Sequence, residues 1–328
     1  MSGWSGRRVL VTGAGGFIGS HLCESLVERG ADVRALVEYN SLGSWGWLDD
    51  SPVRGEVDVV LGDVRDRDSA TAAAAGMATV FHLAALVAIP FSYDAPAAYV
   101  ETNIHGTLNV LRAAQQAGVS LVVHTSTSEV YGTARYVPID EAHPLQGQSP
   151  YAASKIGADK MAEAFHLSFG LPVATLRPFN TFGPRQSARA VIPTVITQLL
   201  AGGPVALGNL APTRDFTYVT DTVEAFVRIA DCPGAVGRVL NSGSGKEISI
   251  SELVERIEAV VDKGAPVERE EARVRPPGSE VERLRADAGA ARELLGWEPV
   301  VSLEDGLART AEWISENLHL YRVGAYAV

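Results

Sequence analysis

The run Val9-Leu-Val-Thr-Gly-Ala-Gly-Gly-Phe-Ile-Gly19 narrows the possible folds more than any other stretch of the chain. An apolar, β-branched segment leads into glycines at 13, 16 and 19, and a helical pattern begins directly after them. Gly13 permits a tight turn, Gly16 lets backbone N–H groups approach a pyrophosphate at the positive end of a helix, and Gly19 allows that helix to pack closely on the strand. A dinucleotide is the expected ligand, because strand and helix both stand where the motif needs them.

The rest of the first half repeats the strand-then-helix order. Residues 7–12, 32–37, 57–62, 79–83 and 120–126 read as strands, and 16–29, 67–75, 97–117 and 151–169 as helices. Continuous apolar strands separated by helices predict an α/β fold, a Rossmann-like, doubly wound parallel sheet covered on both faces. After Gly170 prolines at 172, 178, 184, 193, 204 and 212 punctuate shorter elements. We therefore expect residues 1–170 to form a dinucleotide-binding domain and 171–328 mainly a smaller substrate-binding domain. Apolar runs near 173–180 and 239–242 are expected to return to the large sheet. Helices are expected at 192–201, 251–262 and 303–316 from three- and four-residue apolar spacing.

Charge and cysteine content remove several function classes. Lys and Arg number 28 against 39 Asp and Glu, a net −11, and such a field repels nucleic acid and anionic lipid. Two cysteines without a Cys-x-x-Cys pair indicate neither a disulfide framework nor a metal site, and fit a reducing cytoplasm. No apolar run reaches the ~20 residues that span a bilayer, and the start of the chain shows no export signal.

A carboxylate about 20 residues past the glycines is expected to bind the cofactor ribose. Glu38 lies there, and it would repel a 2′-phosphate and so favour NAD over NADP; a solvated loop Glu after a strand ending at Val37 is the plainer alternative. Asp63 suits either the adenine amino group or a turn cap. Tyr151 and Lys155 stand one helical turn apart on one face, where an ammonium can lower a phenol's pKa and ready it to take a proton from a sugar hydroxyl. Upstream, Thr127-Ser-Glu129 follows an apolar strand, at the carboxyl edge where open α/β sheets bind ligands.

In this order, Thr12-Gly-x-x-Gly-x-x-Gly19, His82-Leu-Ala-Ala85, Thr127-Ser-Glu129, Tyr151-x-x-x-Lys155 and Arg177-Pro-Phe-Asn180 resemble the extended short-chain dehydrogenase/reductase family over nearly the whole chain. The resemblance implies that Tyr151 is the acid/base, that Lys155 orients the cofactor ribose, and that Thr127 hydrogen-bonds the reacting sugar oxygen. It implies a cofactor cleft of Gly13, Gly16, Phe17, Ile18, Gly19, Glu38, Asp63, Val64, Leu83, Ala84 and Ala85 with Tyr151 and Lys155. For the substrate it implies Thr127, Asn180, Arg214 and Arg275. Arg185 reads as a surface charge and His82 as a packed core histidine. Family members commonly pair through a four-helix bundle, and Ala-rich faces on 97–117 and 151–169 lead us to expect a homodimer.

Glu129 discriminates among the family's reactions, since its sugar 4,6-dehydratases use a Glu here to remove the C5 proton, which simple 4-epimerases do not need. Ser128 departs from the Asp that many dehydratases carry as the acid for the C6 hydroxyl; with Ser128 in that place, Glu129 is expected to shuttle the proton itself. The segments Tyr39-Asn-Ser-Leu-Gly-Ser-Trp-Gly-Trp-Leu-Asp49, Gln146-Gly-Gln-Ser-Pro-Tyr151 and Ser279-Glu-Val-Glu-Arg283 are similar to the NAD-dependent dehydratases of the legionaminic acid pathway, which act on nucleotide-linked N-acetylglucosamine. Trp45 and Trp47 are expected to bury a long loop. A UDP-sugar 4-epimerase, a UDP-glucuronate-acting epimerase or decarboxylase, and a non-catalytic dinucleotide sensor remain the alternatives.

Overall fold

The computed structural model describes residues 3–323, so Met1 and Ser2 of the sequence start considered above lie outside the described residues. A seven-stranded parallel sheet is built from β1 (Arg8–Thr12), β2 (Asp32–Glu38), β3 (Asp58–Gly62), β4 (Thr79–His82), β5 (Leu121–Thr125), β6 (Val173–Pro178) and the strand Val239–Ser242. From one edge to the other the order is Val239–Ser242, β6, β5, β4, β1, β2, β3. Every neighbouring pair in it is parallel. The order reverses between β1 and β4, where a crevice opens at the carboxyl ends of the strands.

Helices cover both faces because the central strands are almost continuously apolar. Val9 and Val11 point to one core with Leu22, Cys23 and Leu26 of α1 (Phe17–Glu28), whereas Leu10 and Val80 point to a second with Ala70, Ala73 and Ala74 of α2 (Arg67–Ala74). The helix Pro150–Phe169 packs beside Gly106–Ala117 and the preceding segment Val100–His105, where a Cβ on Gly157 would lie 2.7 Å from Ile104 Cδ1. The later chain adds Val191–Ala201, Ile250–Val261 and Leu303–Glu316, which pack on one another. No helix among the described residues is long and apolar enough to cross a membrane.

Two expectations need correction. Residues 97–117 do not form one helix: an α-turn Pro96–Tyr99 passes into a π-helical segment Val100–His105 before Gly106–Ala117 begins. The supposed Ala-rich outer faces are also partly internal, since Ala113, Ala114, Ala158 and Ala162 are buried within the chain's own core.

Candidate active site

The glycine turn takes its shape from contacts that exclude side chains. Gly13 adopts a left-handed φ of +70°, and a Cβ there would lie 2.8 Å from the Ala84 backbone nitrogen; a Cβ on Gly19 would lie 2.2 Å from the Gly13 oxygen. Gly16, Phe17 and Ile18 open α1 beside this turn. Thr12 Oγ1 accepts from the N–H groups of Leu83 and Ala84 at 3.2 and 3.1 Å, tying the ends of β1 and β4 together on the way to Ala85. His82 is buried between Thr12 Oγ1 at 2.9 Å and Thr107 Oγ1 at 3.0 Å, with burial pushing its pKa well down. It is a neutral structural residue.

Glu38 closes β2 with its side chain exposed, and lines a cleft with Tyr39, Gly62, Asp63, Arg65, Asp66 and Ser69. Asp63 accepts from the Arg65 backbone N–H and from its guanidinium, and these bonds hold the carboxyl below its ordinary value. The Asp63 carboxylate thus serves as a turn cap. Val64 is buried behind it, its carbonyl accepting from Asn109 Nδ2 at 3.0 Å. The loop after Tyr39 docks on the glycine turn: Trp47 N–H donates to the Gly15 oxygen at 3.0 Å, and the Trp47 ring meets Trp313 edge-on at 5.5 Å.

Beyond β5 the chain turns at Thr127, which caps the short helix Ser128–Tyr131 by accepting from Glu129 N–H at 3.3 Å. Ser149 caps the helix Pro150–Phe169 by accepting from Ala152 N–H at 3.1 Å, and Pro150 fits the first turn, where no N–H is missed. Tyr151 and Lys155 follow on one buried face. Burial pushes the Tyr151 phenol up, the Thr127 hydroxyl pulls it back by a hydrogen bond, and the nearby Glu129, Tyr99 and Asp159 raise it further. Lys155 Nζ donates to the Thr125 carbonyl at 2.6 Å; burial lowers its pKa to about 8, opposed by the Asp159 charge. Ser128 is buried, and Glu129 is half-exposed with its charge facing both Tyr151 and Arg214.

Sequence reasoning missed several groups that the fold brings to this place. Asn103, in the π-helical segment, donates to the Leu86 carbonyl at 2.9 Å and to Ser154 Oγ at 2.9 Å, and accepts from Leu86 N–H at 2.8 Å. The wider π-helical turn, closed by i→i+5 hydrogen bonds and so one residue larger, aims its amide at the loop beside Tyr151. Periodicity does not reveal such a segment. Beneath Lys155 the buried set His124, Ser126, Asp159 and Arg177 forms one hydrogen-bonded group. Only the spacing Tyr151, Lys155, Asp159 hinted at it.

The substrate candidates converge from later segments. Asn180 begins a short strand paired with Phe216–Tyr218, its N–H donating to the Asp215 carbonyl. Arg214 and Arg275 approach the same Glu280 oxygen at 3.6 and 3.8 Å, and Arg275 Nη1 is buried without a hydrogen-bond partner among the described residues. Burial lowers the Arg214 pKa, Arg275 lowers it further, and Glu129 and Glu280 oppose both. Two guanidiniums with one orphaned donor suit the oxygens of a diphosphate. Arg185 is not the surface charge its sequence position implied: it donates to Glu24 at 2.8 Å and Ser20 at 3.2 Å on α1, holding the 183–190 loop to the glycine-turn helix.

A glycine turn at the switch point of a parallel sheet, with a Tyr and Lys pair and a Thr beside it, defines the short-chain dehydrogenase/reductase class of dinucleotide enzymes. Residues 10–310 match the family model described as GDP-mannose 4,6 dehydratase. The chain belongs to this extended family of NAD-dependent nucleotide-sugar dehydratases, epimerases and decarboxylases. It is 37% identical over 313 residues to a UDP-glucose 4-epimerase of Mycolicibacterium smegmatis, covering 93% of this chain and 98% of that one. It is 33% identical over 329 residues to a dTDP-glucose 4,6-dehydratase of Xanthomonas campestris, covering 94% and 93% of the two. A dTDP-glucose 4,6-dehydratase from Streptomyces venezuelae, solved with NAD bound, superposes with a TM-score of 0.89 at 33% identity, covering 96% of this chain and 99% of that chain.

Proposed function

We propose that the protein is an NAD-dependent nucleotide-sugar 4,6-dehydratase acting on UDP-N-acetylglucosamine and giving a 4-keto-6-deoxy sugar. The observation that carries this is Glu129, a half-exposed carboxylate on the turn after Thr127 whose charge reaches the Tyr151 phenol. A carboxylate so placed is a second base beside the phenol, which C4 chemistry alone does not require. Residues 1–170 supply the cofactor cleft, and residues 171–328 mainly the sugar-nucleotide site.

In this mechanism Thr127 hydrogen-bonds the C4 oxygen while Tyr151 takes the C4 hydroxyl proton, with the Lys155 ammonium supporting the phenolate. The glycine turn, Glu38 and Lys155 would hold NAD, which would supply a reversible hydride acceptor for C4 and the hydride for C6 and so would act as a catalyst. The C4 ketone makes the C5 proton acidic, Glu129 removes it, and the same carboxyl hands that proton to the C6 hydroxyl, which leaves as water; once C6 of the resulting C5–C6 alkene has received hydride, C5 takes a proton from solvent. Ser128 flanks this transfer from its buried position. Asn180, Arg214 and Arg275 hold the nucleotide diphosphate. Glu38, at the cleft, favours NAD over NADP.

A 4-epimerase is the second reading, favoured by the identity to the mycobacterial epimerase and by Ser128 in place of an Asp. We further propose a homodimer, its surface formed by the exposed Val100 and Leu167 with the half-exposed Leu108 and Met161. A cytoplasmic location accords with Cys23 and Cys232, both free thiols. Incubation with UDP-N-acetylglucosamine, UDP-glucose and UDP-glucuronate, followed by mass spectrometry, tests the assignment. Loss of one water from the first supports it; an unchanged mass with altered C4 configuration makes the protein an epimerase, and loss of carbon dioxide a decarboxylase.

A further inference from the structure

Tyr151, Lys155 and Asp159 lie at i, i+4 and i+8 on the helix Pro150–Phe169, and all three are buried. The first two face the site. Asp159 reaches instead to β5 and the residue after it, on both sides of Thr125: Oδ1 accepts from His124 Nε2 at 3.0 Å and Oδ2 from Ser126 Oγ at 2.7 Å. His124 and Ser126 are two residues apart on an extended chain, so their side chains leave it on the same side. The residue between them, Thr125, presents its carbonyl to Lys155 Nζ at 2.6 Å. Arg177 on β6 closes the far side of the carboxylate at 2.9 Å and also donates to the Tyr131 hydroxyl at 3.0 Å.

We propose that Asp159 is a positioning residue for the C4 oxidation: by gripping His124 and Ser126 it fixes the Thr125 carbonyl that aims Lys155, and its charge keeps the Lys155 ammonium in a buried place. The inference rests on the roles given above to Tyr151 and Lys155. It holds whether the product is that of a dehydratase or an epimerase, because both begin at C4.

The charges around Lys155 support the second half. His82 on β4 and His124 on β5 are both buried with lowered pKa values, so they face Lys155 as neutral rings. Among the described residues His124 Nδ1 has no hydrogen-bond partner, which places the ring proton on Nε2, toward Asp159. Burial pushes the Asp159 carboxyl up, but His124, Arg177 and Ser126 together outweigh it and hold it at about 2. Tyr151 on the same helix is neutral at rest, and Arg177 on β6 is a second cation sharing Asp159. Asp159 is therefore the anion that offsets the burial of Lys155.

The test is the pH dependence of kcat/KM for the purified protein with NAD, on the nucleotide sugar it turns over. Loss of the Lys155 proton sets the alkaline limb in this account. Asp159→Asn keeps the shape and removes the charge, and should move that limb to lower pH by about one unit or more, with KM little changed. Asp159→Glu should restore the limb. Arg177→Gln, which removes the cation beyond the same carboxylate, should leave the limb in place or move it to higher pH, and decides the matter if Asp159→Asn does not fold. An Asp159→Asn protein with an unmoved limb and only lowered thermal stability would overturn the proposal, as would a limb moved to lower pH in Arg177→Gln. The identity of the wild-type product tests the assigned function separately.

Discussion

Glu129 and Tyr151 divide the proposed chemistry between two side chains on neighbouring turns, and single substitutions should separate their steps. Glu129→Gln keeps the size and removes the base, so it should lower dehydration by about 10²-fold or more while leaving C4 oxidation visible as reduced cofactor absorbing near 340 nm, on the order expected for loss of a general base. Full dehydration by that variant would show that another group takes the C5 proton. Asp159 makes a pH prediction of its own. Its carboxyl is held at about 2 against an ordinary 3.8, so its contribution to stability is fully present above the ordinary value and is lost as pH falls through the folded one. Acid unfolding followed by circular dichroism should therefore begin at lower pH for Asp159→Asn relative to its own neutral-pH stability, because that variant lacks this loss. At this scale the sequence displayed Tyr151, Lys155, Thr127 and Glu129 through their spacing, whereas the partners of Asp159 and Arg185 lie on β5, β6 and α1, too far along the chain for spacing to reveal.

Element boundaries followed apolar periodicity closely in the first half, since the central strands β1, β4 and β5 are buried on both faces. The exception is residues 97–117. There Asn103 satisfies both backbone groups of Leu86, and a continuous α-helix would turn that amide elsewhere. Asn103→Ala leaves those half-buried groups without their partner, and should lower stability by about 1 to 3 kcal/mol in urea unfolding and reduce kcat along with it. A kcat equal to wild type would mean that the loop beside Tyr151 does not depend on the π-helical segment. At the glycine turn, Gly19→Ala sets a methyl 2.2 Å from the Gly13 oxygen and should abolish NAD retention in a binding titration. Retention unchanged from wild type would remove the turn from the account of the cofactor.

On the scale of the whole molecule, β6 opens the proline-rich stretch and Val239–Ser242 follows it, yet both belong to the large sheet, so both halves of the chain share one core. Arg185 on Glu24 and Trp47 on Trp313 add contacts between the glycine-turn region and the later chain. The apolar run near 239 was visible in the sequence, but Trp313 as the partner of Trp47 was not, because an aromatic on an amphipathic helix looks the same whether it faces solvent or a distant loop. Light scattering at micromolar concentration should give twice the monomer mass if Val100 and Leu167 are covered by a second copy; a monomer would leave that surface exposed in solution. The central claim is elimination across C5 and C6 after oxidation at C4. Turnover of UDP-N-acetylglucosamine in heavy water, with the product examined by mass spectrometry and proton NMR, tests it most directly. The product should have lost one water and carry solvent deuterium at C5; a product of unchanged mass, inverted at C4 and free of deuterium, would rule elimination out.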